Sequence, residues 1–156
     1  MNRAVLYLFL SLALFLVSPI PTAAEDFLPI PAEELALKDN PAQPGAAAML
    51  LYREQHTDDQ DAWERHYYRV KIFKEDGRKY ADVEIPYWSG LKVGDIKART
   101  VRPDGSVVPF TGKVYDKLIV KARGLKVQAK TFSLPDVQPG SIIEYRYVRT
   151  WPKQQL

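Results

Sequence analysis

Two histidines and a scatter of carboxylates are the residues of this chain with most chemistry to offer. His56 and His66, taken with Asp58, Asp59 and Glu64, carry the imidazole and carboxylate donors that zinc or iron accepts. The spacing argues against a metal: His56 is expected in a polar turn, and His66 inside a strand with Glu64 on its face. A histidine so placed more often packs or meets solvent. Asp82 and Glu84 stand two residues apart in a strand, which points both the same way, about 6–7 Å apart. Paired carboxylates are the equipment of glycoside hydrolysis. Joined by His66, they form the one hydrolase reading the chain supports. Beside Arg78 and Lys79 they read more simply as the solvated face of a hairpin. Ser141 follows Gly140 but has no Gly-x-Ser-x-Gly elbow. No glycine-rich loop leads into a phosphate-binding lysine, and the acidic turns lack the repeated ligands of a calcium loop. The expectation is therefore no catalytic set, no metal and no cofactor.

Residues suited to binding are better represented. Of the aromatic groups, Tyr87 and Trp88 lie between Pro86 and Gly90 in an expected loop, where they are freest to meet a partner. Tyr145 and Tyr147 repeat with Ile143 and belong to a core. Between Lys92 and Lys130 stand ten Lys or Arg and three Asp or Glu, an excess of +7. Lys97 and Arg99 are the candidate contacts in this stretch. A basic sheet face could meet phosphate, an acidic polysaccharide or an acidic partner domain. Its period-two spacing reads first as lysines and arginines displayed to solvent. No nucleic-acid recognition module accompanies it.

Arg3, the apolar run Ala4–Val17 and the small residues Thr22-Ala23-Ala24 make a secretory signal peptide over residues 1–24. The run is short for a membrane span, so no stable span is expected after cleavage. The remaining 132 residues are one domain in size, exported to the periplasm or beyond. Cysteine is absent, which excludes a thiol nucleophile, a redox pair or a thiolate metal site within this chain.

Residues 25–46 form a proline-broken lead-in, with one short helix expected at Pro31–Lys38. From 47 to 156 the pattern turns to strands. Met49–Tyr52 begins them, and His56–Asp59 is the expected turn. Trp63–Phe73 alternates Tyr68, Val70 and Ile72 against Arg69, Lys71 and Phe73. Lys74–Gly77 is read as a tight reversal using a left-handed glycine, with Lys79–Ile85 returning as hairpin partner until Pro86. Asp95–Arg102, the Pro103-Asp104-Gly105 turn, Ser106–Phe110, Val114–Lys121 and Leu125–Leu134 follow. A last strand after Gly140 sets Ile143, Tyr145 and Tyr147 against Glu144 and Arg146. The class is all-β, an antiparallel sandwich or curved sheet with a short helical lead-in. Little chain remains after the last strand to pair with it, so the sheet is expected to be incomplete.

The stretch from Asp95 to Gly105, followed by Phe110 and Gly112-Lys113-Val114, resembles the bacterial DUF3857 family. So does Ala129–Tyr145, its most recognisable part, and the similarity runs from about Leu51 to Trp151. The resemblance implies an exported β-sandwich accessory domain standing before a transglutaminase-like cysteine domain. It also implies that the C-terminal part of the family domain is missing here. The implied partner is that transglutaminase-like domain, together with a peptide or cell-envelope polymer. The resemblance carries no catalytic residue, because the family-associated Cys, His and Asp belong to the other domain.

Overall fold

The computed structural model describes residues 26–122 and 125–152; the expected signal peptide lies outside them. A five-residue helix, α1 (Ala32–Ala36), starts behind Pro31 and is followed by eight strands. These are β1 (Ala48–Asp58), β2 (Trp63–Ile72), β3 (Asp82–Trp88), β4 (Lys92–Val101), β5 (Val107–Pro109), β6 (Tyr115–Ala122), β7 (Leu125–Ser133) and β8 (Ile142–Thr150). Five of them form a sheet in the order β1-β2-β8-β4-β5, and three form another in the order β3-β7-β6. All pairings are antiparallel. Both sheets are open.

The sheets pack face to face through the apolar half of each alternating strand. Ile72, Val93, Ala98, Ile143 and Tyr147 come from the larger sheet, and Val83, Ile85 and Phe132 from the smaller. Tyr68 stacks on Tyr145 at 4.9 Å and His66 on Tyr147 at 4.7 Å, so rings continue the core toward one end. The period-two reading of β8 holds: Ile143, Tyr145 and Tyr147 face this core.

Several expectations about pairing change. β2 does not return on β3. It pairs with β1 and β8, while β3 sits in the other sheet beside β7. The segment read as a tight reversal is a 3-10 helix, Glu75–Ala81, that carries the chain from one sheet to the other. Gly77 is buried there and does not take a left-handed φ. A Cβ on it would overlap the carbonyl oxygen of Ala47 and lie 3.1 Å from Ile72 Cγ2, so the glycine serves close packing. The β1–β2 hairpin is longer than its pattern suggested: His56 lies within β1 opposite Arg65, and the reversal falls after Asp58. Pro86 lies inside β3 rather than ending it, which an edge strand tolerates. The last strand finds both its neighbours earlier in the chain, since β8 lies centrally between β2 and β4.

The hairpin around Gly105 forms as read. Gly105 takes φ 85°, and Arg102 N–H donates to Ser106 O at 2.9 Å. β6 and β7, both expected as strands, pair with each other, with a bulge between Leu118 and Val120.

Candidate functional site

The reading of Lys97 and Arg99 as displayed to solvent is corrected in part by what covers the larger sheet: the Arg99 side chain is 21% exposed, and Lys97, 42% exposed, pairs with Asp26. Adjacent strands β2, β8 and β4 bring Arg69, Glu144 and Arg99 into one row on its outer face. Glu144 is fully buried. It accepts from Arg69 Nε at 2.7 Å, from Arg99 Nε at 2.5 Å and from the Tyr67 hydroxyl. Desolvation and the Glu144 carboxylate push the Tyr67 hydroxyl up to about 12. Burial opposes the charge of Arg69, but Glu144, Tyr67 and Glu34 more than compensate and raise its pKa.

The lead-in lies over this row. Arg69 donates to Glu34 at 2.8 Å, to Leu28 O at 2.8 Å and to Pro29 O at 3.1 Å. Lys71 donates to Leu35 O and to Gly140 O, both at 2.7 Å. Its pKa is lowered by burial and then by Lys38. Lys97 and Arg146 grip Asp26 at 2.7 and 2.6 Å and hold its carboxyl below the usual range. Sequence reasoning missed Tyr67, Lys71, Glu144 and Arg146 as parts of one cluster. The available signal was charge at alternate positions in two strands, but their adjacency needed the register. Elsewhere the basic stretch behaves as read, since Lys113, Lys117, Lys121 and Lys126 are exposed.

Tyr87 and Trp88 are the last two residues of β3, not loop residues, and they point to opposite sides. Tyr87 packs against the core and donates to Asp116 Oδ1 at 2.6 Å. That bond and some desolvation push its pKa up to about 12. Trp88 is 54% exposed and joins Leu91, Trp151, Arg149 and Glu64 around a groove of about 370 Å³. The turn after β3 places Leu91, whose N–H donates to Trp88 O at 3.0 Å, with Gly90 at φ 95°. Trp151 is placed by its N–H donating to Ala62 O at 3.1 Å. Arg149 is steadied by Pro86 O at 3.2 Å. Two indoles, a leucine and a facing Arg and Glu can hold an apolar side chain or a sugar ring and hydrogen-bond its rim.

Asp82 and Glu84 share the outer face of β3, as their spacing requires. Asp82 accepts from the Ser133 hydroxyl at 2.5 Å and Glu84 pairs with Lys117 at 2.5 Å. His66 is buried on the inner face of β2, stacked on Tyr147 and 2.9 Å from Glu64. The packed core lies between it and the two acids, so the fold does not bring the three together. Among the described residues no group of three or more His, Asp or Glu is arranged to hold a metal ion.

The fold and these surfaces define an antiparallel β-sandwich module with a peptide-like lead-in laid on one sheet. Its sequence matches the model of DUF3857, a domain of unknown function with a solved structure, over residues 58–155. The chain belongs to this family. Its fold is similar to a crystal structure of a "putative protease" from Parabacteroides distasonis ATCC 8503, with a TM-score of 0.55 and 16% identity. That likeness covers 69% of this chain and 24% of the other, so this chain spans about a quarter of that protein's length. No curated protein matches the chain.

Proposed function

We propose that this chain is a non-catalytic accessory domain of an exported transglutaminase-like protein, and that it binds the partner domain or the peptide or cell-envelope polymer on which that domain acts. The observation that carries the reading is the Trp88–Leu91–Trp151 groove, a concave aromatic surface flanked by Arg149 and Glu64. Solvent-facing tryptophan beside an arginine is the composition of an energetically dominant contact. The chain has no cysteine, so the thiolate of a transglutaminase-like reaction must come from another domain. The leader-like residues 1–24 support export.

The test is calorimetric titration of the mature chain with a transglutaminase-like domain from the same organism. Trp88→Ala is expected to weaken association by about tenfold or more. Its urea midpoint should stay unchanged, because the indole is more than half exposed. Equal affinity in the variant rejects the groove, and no association by the parent chain rejects the partner.

A further inference from the structure

The lead-in is held by two kinds of contact. Its main-chain carbonyls at Leu28, Pro29 and Leu35 accept from Arg69, Arg99 and Lys71, which any sequence could satisfy. Its side chains are read separately. Asp26 is gripped by Lys97 and Arg146, Glu34 by Arg69, and the Phe27 ring lies 4.6 Å from the Arg99 guanidinium carbon. Main-chain contacts for affinity and side-chain contacts for selectivity are how protein surfaces recognise extended peptides.

Charge supports the same view. The sheet contributes Arg69, Lys71, Lys97, Arg99 and Arg146 against Glu144 and Asp95, the latter 3.2 Å from Arg146, and the lead-in returns Asp26 and Glu34. All these sheet residues lie within the family match at 58–155, whereas the lead-in lies before it. Asp26, Phe27 and Leu28 border a cleft of about 360 Å³ that Glu54, His56 and Arg65 also line.

We infer that the outer face of the five-stranded sheet is a recognition site for an extended peptide with an acid, an aromatic, an aliphatic residue and a proline in succession. Residues 26–35 hold it in cis, and a segment of the same chemistry from another protein takes the same place in trans. Displacing the lead-in releases ions that water solvates well, which keeps the exchange accessible. A tethered occupant acts at roughly millimolar effective concentration, so the intact chain resists weak competitors. This inference stands apart from the Trp88 groove, which lies at the C-terminal ends of β3 and β8 and is lined by none of the residues that hold the lead-in.

The experiment inserts a protease site in the exposed loop 41–45 of the protein lacking residues 1–24. After cleavage, a fluorescein-labelled peptide of residues 25–38 is added and its anisotropy followed. The cut protein should bind it saturably, and the uncut protein about a hundredfold more weakly. A peptide carrying Asp26→Lys and Phe27→Ala should bind the cut protein about tenfold more weakly or worse, as should Lys97→Glu in the protein with the unaltered peptide. The inference is overturned if the cut protein keeps its sheet by circular dichroism yet takes up no peptide, or takes up the altered peptide equally well. Loss of the sheet on release of residues 26–40 also overturns it, by making the lead-in an integral part of the fold.

Discussion

Glu144→Gln removes the charge at the centre of the outer-face cluster while keeping its volume. The carboxylate is fully buried and accepts from Arg69 Nε at 2.7 Å, Arg99 Nε at 2.5 Å and the Tyr67 hydroxyl. The amide replaces one acceptor oxygen with a donor that must face an arginine or a tyrosine hydroxyl. Breaking a buried ion pair from one side costs about 3–5 kcal/mol. Two features place this case near the lower end. Arg69 keeps Glu34 at 2.8 Å and two lead-in carbonyls, and the Arg99 side chain is 21% exposed, so water recovers part of its charge. The expected loss is about 3 kcal/mol, a large share of the ~5–15 kcal/mol that holds a typical domain together. With a urea slope of about 1–3 kcal/mol/M, the midpoint should fall by about 1 M or more. The assay is urea denaturation of residues 25–156, followed by far-ultraviolet dichroism. Glu84→Gln is the control, since Glu84 pairs with Lys117 at the surface with both side chains about half exposed. It should cost under about 1 kcal/mol. A Glu144→Gln loss no greater than that of Glu84→Gln would refute the reasoning, because the carboxylate would then be contributing no more than a surface charge.

Gly77→Ala should destabilise by about 2–4 kcal/mol, from overpacking and from displacing a carbonyl that serves two donors. The new Cβ overlaps Ala47 O, which accepts from Phe73 N–H at 2.9 Å and Lys74 N–H at 3.2 Å. Thermal melts against Gly94→Ala, whose Cβ would meet nothing within 4 Å, check it; equal melting temperatures reject the packing role. Alkaline pH should also unfold the protein. Burial, with Glu144 beside one of them, raises Tyr67 and Tyr145 to about 12 from an ordinary 10.0. The unfolded chain therefore loses these protons first, and stability present below pH 10 is lost as pH rises through 12, by about 2–3 kcal/mol for Tyr67. Lys71 acts oppositely: its lowered folded pKa makes its charged form costly, and that cost is relieved as pH rises toward 10.5. Urea midpoints measured from pH 9 to 12 should fall at the upper end, less steeply in Tyr67→Phe; a flat profile contradicts the assignment.

The strand character of this chain, its turn at Gly105 and the inward face of β8 were all legible in the residues. Alternation of Ile143, Tyr145 and Tyr147 with Glu144 and Arg146 depends only on the period of an extended backbone, which is local. What alternation cannot say is which strand lies alongside. Glu144 meets Arg69 and Arg99 across 75 and 45 residues of sequence, and that meeting exists only once β8 is placed between β2 and β4. The same limit explains Gly77. A glycine needed for a left-handed turn and one needed for close contact with Ala47 look alike in a sequence, and only the packed neighbour tells them apart. Lys97 and Arg99 read as solvated cations because their spacing matches an exposed face; the lead-in covering them comes from residues some 70 positions earlier. The sequence by itself thus determined the strand character, the apolar faces and the absence of any thiol. Tertiary structure alone decided which charged residues became neighbours, because burial of the apolar faces sets the strand order and the polar faces then meet as that order dictates.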